Sequence, residues 1–268
     1  LGDRLETLVV AQCAYLNQIK ITHFSGGQIS KGSFDNAFRY NISNYSNYHF
    51  VTTKKSEMRL RKIPIINKNH IYRIGSCSID DIYEYLKTNN KKNINNKHIS
   101  KSPYVFLSLH PEINENGVFI NCFKKIIQTI IKDEINIIAT YPNNDLGSKE
   151  ILNLYDTFSS SKYFNLIESS TKINYLNILY NSLFVLGNSS SFLIEAPYLN
   201  KIILLYGNRQ HGREIDDTIF KINYDYNFFL KLFKKISNNK LKIKKNSKLF
   251  GDGNAIKSCL WFIEKNII

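Results

Sequence analysis

The chain has 268 residues, 43% of them hydrophobic, enough for one large core or two ordinary ones. No run of about 18 apolar residues occurs and the N-terminus lacks a basic-then-apolar leader, so a cytoplasmic protein without a membrane partner is expected. The formal charge of +14 raises the question of nucleic acid, but the basic stretches "TKKSEMRLRK" and "LKLFKKISNNKLKIKKNSK" carry no interleaved base-stacking aromatics, so a solvated basic surface is expected instead.

The elements follow in chain order. The chain begins at Leu1 without Met, and "LGDR" reads as the end of a buried strand, so a fragment is expected. "LETLVVAQCAYLNQ" repeats its apolar residues at helical spacing, and "IKITHFSGG" alternates as a short strand that opens into glycines. "SFDNAFRYNISNY" reads as helix, "YHFVTT" as strand, "SEMRLRKI" as helix and "HIYRIGS" as strand. A helix at Ile79–Leu86 leads into the polar tract Lys87–His98, a loop by composition. Beyond it strands are expected at "YVFLSLHP", "INIIATYP", "YFNLIES", "LFVLGNSSS", "KIILLYG" and near "TIFKINY". The helices between them are expected at Phe119–Lys132, Ser148–Phe158, "TKINYLNILYNS" and from Ser191, with an amphipathic helix at "AIKSCLWFIEKNI". Strand alternating with helix implies α/β architecture with parallel sheets, here as two doubly wound domains, the first incomplete. The expected division is 1–78, 79–250 and a C-terminal helix at 251–268.

In open parallel sheets, ligands bind outside the carboxyl ends of the strands. Polar clusters fall at six such ends: Gly2–Arg4, His23–Gly27, Ser108–Glu112, Tyr141–Asp145, Gly187–Ser191 and Gly207–Glu214. In "GNSSSFLIEAP" small residues open a helix, where outward N–H groups and the helix dipole suit an anion. Asn188, Ser189, Ser190 and Ser191 supply further donors, and Glu195, one turn after Ser191, can accept from sugar hydroxyls. The plain alternative is that Asn188 or Ser189 caps the helix. Arg209 and Arg213 add forked donors suited to phosphate, so the clusters together read as a diphosphate and ribose site. His110 is either a satisfied core residue or a ligand contact. Asp3 and Asp35 are either caps or catalytic carboxylates. Cys13, Cys77, Cys122 and Cys259 form no CxxC pair and the six histidines are scattered, so neither a metal nor a cofactor is expected.

These runs resemble the UDP-N-acetylglucosamine 2-epimerases, in particular the hydrolysing branch of sialic- and legionaminic-type sugar synthesis. The resemblance is carried by "GDRLE", "HFSGG", "GSFDNAFR", "HFVTT", "LHP", "YPNNDLGSKEI", "GNSSSFLIEAP", "GNRQHGRE" and "FGDGNA", in order along nearly the whole chain. It implies two Rossmann-like domains of glycosyltransferase-B type and begins well inside the first of them. It also implies a UDP-sugar substrate and an elimination at C1–C2 followed by hydration. Under it Asp3 and Asp35 are the acid and base, with His23 assisting. Arg39, His110, Asn188, Ser189, Ser190, Ser191, Arg209 and Arg213 hold the substrate, and Glu195 clamps the ribose. At Ser25 and Gln28 many relatives carry Glu, so part of the acid set is replaced here. A non-hydrolysing epimerase and a UDP-sugar-binding homologue without turnover are the alternatives. A homo-oligomer is left open.

Overall fold

The structure is a computed structural model, and it describes residues 4–30, 35–89, 102–112, 117–168, 171–243 and 247–266. Contacts divide the chain into two units. The first is Leu1–Lys87 with His211–Arg213 and Lys248–Ile268; the second is Thr88–Gln210 with Glu214–Ser247. The expected boundary at 78/79 therefore falls inside a helix, and the C-terminal helix belongs to the first unit. No helix among the described residues is long and apolar enough to cross a membrane.

The first unit runs α1 (Leu5–Leu16), β1 (Thr22–Phe24), α2 (Asp35–Tyr45), β2 (Tyr48–Val51), α3 (Lys54–Leu60), β3 (Ile71–Arg73) and α4 (Cys77–Asn89). Its strands form a three-stranded parallel sheet in the order β1-β2-β3. Alternation sends Tyr48 and Phe50 of β2 to one face. There they pack on Cys259 and Phe262 from the C-terminal helix. Val51 points the other way, onto Leu60 of α3 and Ile66. Asp80 of α4 fixes the C-terminal helix: its buried carboxylate accepts from the N–H groups of Ala255 (3.0 Å) and Ile256 (2.7 Å). Those are first-turn donors with no partner inside the helix, and a carboxylate there also complements the dipole.

The second unit follows with β4 (Tyr104–Ser108), α5 (Val118–Lys132), β5 (Asn136–Thr140), α6 (Ser148–Asp156), β6 (Phe164–Ile167), α7 (Lys172–Asn181), β7 (Phe184–Gly187), α8 (Ser190–Tyr198), β8 (Ile203–Tyr206), β9 (Ile219–Asn223) and α9 (Tyr226–Ser237). The chain ends with α10 (Ala255–Asn266), which belongs to the first unit. The sheet is fully parallel, in the order β6-β5-β4-β7-β8-β9. Strand order reverses between β4 and β7, which makes their carboxyl ends the topological switch point. Val105, Leu107, Leu186 and Leu204 face α5, α6 and α9. Phe106 faces the other layer and packs edge-on against Tyr175 of α7 and Phe192 of α8. Both faces are covered, as the near-continuous apolar strands require.

One helix was not among the expected elements. The basic stretch from Leu230 overlaps α9, whose Phe229, Leu232, Phe233 and Ile236 are buried in the core while Lys231, Lys234 and Lys235 stay exposed, as a solvated basic surface requires. The i, i+3, i+4, i+7 spacing was present, hidden among lysines. Phe229→Ala is expected to cost about 3–5 kcal/mol of stability by urea denaturation, and Lys235→Ala no more than about 0.5 kcal/mol.

Candidate active site

In the second unit the site is built at the switch point. Gly187 ends β7 at φ 138°, and a Cβ there would lie 1.9 Å from the Ser108 carbonyl oxygen, so only glycine lets β7 close onto β4. The next residue, Asn188, is completely buried. Its Oδ1 accepts from the His110 N–H (2.7 Å) and its Nδ2 donates to the His110 carbonyl (2.8 Å). The carboxamide thus satisfies both backbone groups of His110. Ser189 is the N-cap of α8, yet no side chain caps the helix. The capping reading of Asn188 and Ser189 is therefore not what their side chains do, and the first-turn N–H groups of α8 retain their capacity for an anion.

His110 itself is neutral. Its Nδ1 accepts from the Asn143 N–H (3.0 Å), which assigns the ring proton to Nε2. Burial lowers its pKa to about 4, with Arg209 acting in the same direction and Asp145 opposing. It can therefore donate a hydrogen bond from Nε2 without carrying charge. Arg209 holds Asp145 at 3.2 Å, and Asn143 also donates to Asp145. Glu195 is buried, with Oε1 on the Lys172 ammonium at 2.6 Å. Its Oε2 and the nearby Tyr175 hydroxyl are buried without a hydrogen-bond partner. Burial, and then the Glu195 carboxylate, push the Tyr175 phenol well above its ordinary range. Ser190 and Ser191 are half-buried in the first turn of α8.

Glu112 has a role that sequence reasoning missed. Its carboxylate accepts from the N–H groups of Asn208 (2.9 Å) and Arg209 (3.0 Å), from Tyr224 Oη (2.7 Å) and from Asn188 Nδ2 (3.3 Å). It locks the loop after β8 to the loop after β4. Its partners lie about a hundred residues away, so no spacing could reveal it. Lys172, likewise missed, sits on a different helix from Glu195.

In the first unit, the loop after β1 answers for the glycines of "HFSGG". A Cβ on Gly27, at φ 74°, would meet the Ser56 carbonyl oxygen at 2.3 Å, so the close approach of α3 demands glycine. Arg39, expected as a substrate contact, is 2% exposed and bonds within this loop. Its Nη1 donates to the Gln28 carbonyl (3.0 Å) and to Asn36 (3.0 Å), and Nη2 to Ser30 (3.3 Å). Arg59 takes the Gly27 carbonyl at 3.2 Å. His23 is buried with Nδ1 2.9 Å from Ser43 Oγ. Because that hydroxyl donates to the Arg39 carbonyl, His23 Nδ1 is the donor of this bond. Gln28 accepts from Arg213 Nη1 (2.7 Å) and donates to Thr52 (2.9 Å). Ser25 holds a left-handed backbone at φ 63°, and its N–H is bonded to the Phe50 carbonyl. Asp35 opens α2, half-buried, in a first turn where a carboxylate suits the dipole. Asp3 lies outside the described residues.

The histidines make a pH prediction. His49 in β2 is, like His110, held near a pKa of about 4, by burial and then by His70. The unfolded chain takes up a proton at each ring below pH ~6.5 that the folded protein refuses until pH ~4. Stability is therefore full above pH ~6.5 and falls as pH drops toward 4, by up to about 1.4 kcal/mol per pH unit for each ring. Urea denaturation at pH 7 and pH 5 checks this, and His49→Leu is expected to remove one ring's share of the slope.

A family profile described as UDP-N-acetylglucosamine 2-epimerase matches residues 1–264. The chain is 31% identical, over 97% of its length and 68% of the relative's, to the hydrolysing UDP-N,N'-diacetylbacillosamine 2-epimerase of Legionella pneumophila. It is 28% identical to the UDP-N-acetylglucosamine 2-epimerase of Neisseria meningitidis over 84% of its own length and 59% of that relative's. The crystal structure of a UDP-GlcNAc 2-epimerase from Neisseria meningitidis bound to UDP-GlcNAc shares the fold at a TM-score of 0.79 and 18% identity, over 99% of this chain and 75% of that one. With a profile along almost its whole length and a relative above 30% identity, the chain belongs to the UDP-N-acetylglucosamine 2-epimerase family.

Proposed function

We propose that the protein is a hydrolysing 2-epimerase that converts a UDP-linked 2-acetamido sugar and water to the free C2-epimeric sugar and UDP. The observation that carries the reading is the anion-binding set at the switch point: the uncapped N-terminus of α8 beside a neutral His110 and the Arg209 guanidinium. The hydrolysing branch is favoured by the 31% identity along 97% of the chain with the Legionella pneumophila enzyme, whose name specifies hydrolysis.

In the proposed reaction a base removes the proton at C2 and the new C1–C2 double bond forms as the C1–O bond breaks. The electron pair of that bond leaves on the β-phosphate oxygen of UDP. Water then adds its hydroxyl to C1, and a proton returns to C2 on the opposite face, which inverts that centre. The charge growing on the departing diphosphate is matched by the N–H groups of α8, the Nε2–H of His110 and Arg209, donors already in place before the charge develops. A neutral imidazole in that role gives its hydrogen bond without repelling the neighbouring Arg209. Glu195, anchored by Lys172, is the acceptor for the ribose hydroxyls. Asp35 and Asp3 are the proposed acid and base, and His23 an auxiliary base.

One observation favours a second reading. Gln28 places a neutral amide, and no carboxylate, between Arg213 and Thr52, as a UDP-sugar-binding homologue without turnover would allow. Incubation in D2O with UDP-GlcNAc, and separately with UDP-N,N'-diacetylbacillosamine, followed by proton and phosphorus NMR, separates the readings. Free UDP with a 2-epimeric sugar deuterated at C2 is expected. A UDP-linked epimer would place the protein in the non-hydrolysing branch, and UDP binding without turnover of either substrate would support the second reading. Asp35→Asn is expected to lower turnover by at least about 100-fold, and near-normal turnover would remove Asp35 from the site.

A further inference from the structure

We propose that the groove between the open edge of β3 and α10 is a second binding site, for an anion that carries a planar ring, such as a nucleoside monophosphate. It lies wholly within the first unit and is separate from the switch-point residues. The groove encloses about 550 Å³, within the range of small-molecule sites. Its floor is aromatic: the Tyr72 and Phe262 ring centroids lie 3.8 Å apart with the planes tilted by 41°, and the Trp261 indole also lines it. Its rim is cationic, through Arg73 and Lys257.

The charges are uncompensated. Glu57 is the carboxylate in the wall, and it is bonded to Arg61 at 2.9 Å. The side chains of Arg73 and Lys257 form no ion pair or hydrogen bond among the described residues. The indole is 59% exposed, while the adjacent Phe262 is 2% exposed. An exposed indole forgoes hydrophobic stabilisation that a stacked ring would restore, and its polar edge and flat face suit such a ligand. The Lys265 ammonium holds the indole, 4.9 Å from the ring centre.

The edge of the sheet supplies directional groups. Ile74 donates its N–H to the Val51 carbonyl, so by strand alternation the backbone groups of Arg73 point away from β2, toward the open edge. A ring with polar edge atoms can be read there. An added peptide strand is a poorer occupant, because β3 is three residues long and offers too short a ladder. A phosphate between Arg73 and Lys257 with its ring on Trp261 uses every uncompensated group in the groove.

Trp261 is the one tryptophan in the chain, so its fluorescence reports this groove and no other. Titration with AMP, with adenosine (ring without charge) and with ribose 5-phosphate (charge without ring) tests the proposal. Saturable quenching by AMP is expected, with the two fragments binding at least about tenfold more weakly. The Arg73→Ala/Lys257→Ala double variant is expected to lose at least about tenfold in AMP affinity while keeping its thermal midpoint and its turnover of UDP-sugar, since both side chains are exposed. Absence of saturable quenching by AMP, equal binding of either fragment, or parent-like AMP affinity in the double variant would overturn the site.

Discussion

One buried carboxamide organises the second unit. Asn188 lies where β7 gives way to α8, wholly out of water, and a polar group there is tolerated only when its hydrogen bonds are made. Its amide meets this condition by taking both backbone groups of His110, 78 residues earlier in the chain. The rest of the switch point follows. Gly187 must be glycine for the strands to approach, Gln210 reaches the Asn188 carbonyl at 2.8 Å, and Glu112 ties the loop after β8 into the same network. The polar ends of three strands are thereby joined in one hydrogen-bonded network.

The two units use their cations differently. In the first, Arg39 and Arg59 point their guanidinium groups at main-chain carbonyls of the loop after β1, and Arg213 holds Gln28. Multiple donors in a rigid fork fix a loop whose glycines leave it little stiffness of its own. In the second unit Arg209 pairs with an Asp145 that remains half exposed to solvent, a weak pairing by comparison. Arginine thus bonds main-chain carbonyls in one unit and a carboxylate in the other, although the sequence presents Arg39 and Arg209 alike, each beside a small polar cluster.

Much of the fold was legible from periodicity. Runs such as "YVFLSLHP" and "LFVLGNSSS" are too apolar and too short for anything but strands buried on both faces, and the helices between them show their stripes. α9 was not expected as a helix because lysines interrupt an apolar stripe that is nonetheless complete. The candidate site was legible only at strand ends, where the parallel-sheet rule concentrates chemistry. The capping alternative at Asn188 and Ser189 was a fair reading of sequence alone, since those residue types favour both roles.

The sequence by itself determined the alternation of strand and helix, the parallel sheets, the positions of the polar clusters and the family, because these depend on local pattern and ordered motifs. Only the tertiary structure decided which face each polar side chain serves. Glu112, Lys172, Asp80 and Gln28 act through partners that are close in space but distant in sequence. Whether Arg39 meets a ligand or a carbonyl depends on how closely a loop packs on a helix, a matter of ångströms that no spacing along the chain encodes. The assignment of the C-terminal helix to the first unit has the same cause: two N–H groups of α10 and the carboxylate of Asp80 find each other across 175 residues, and the cost of leaving those donors bare holds them together.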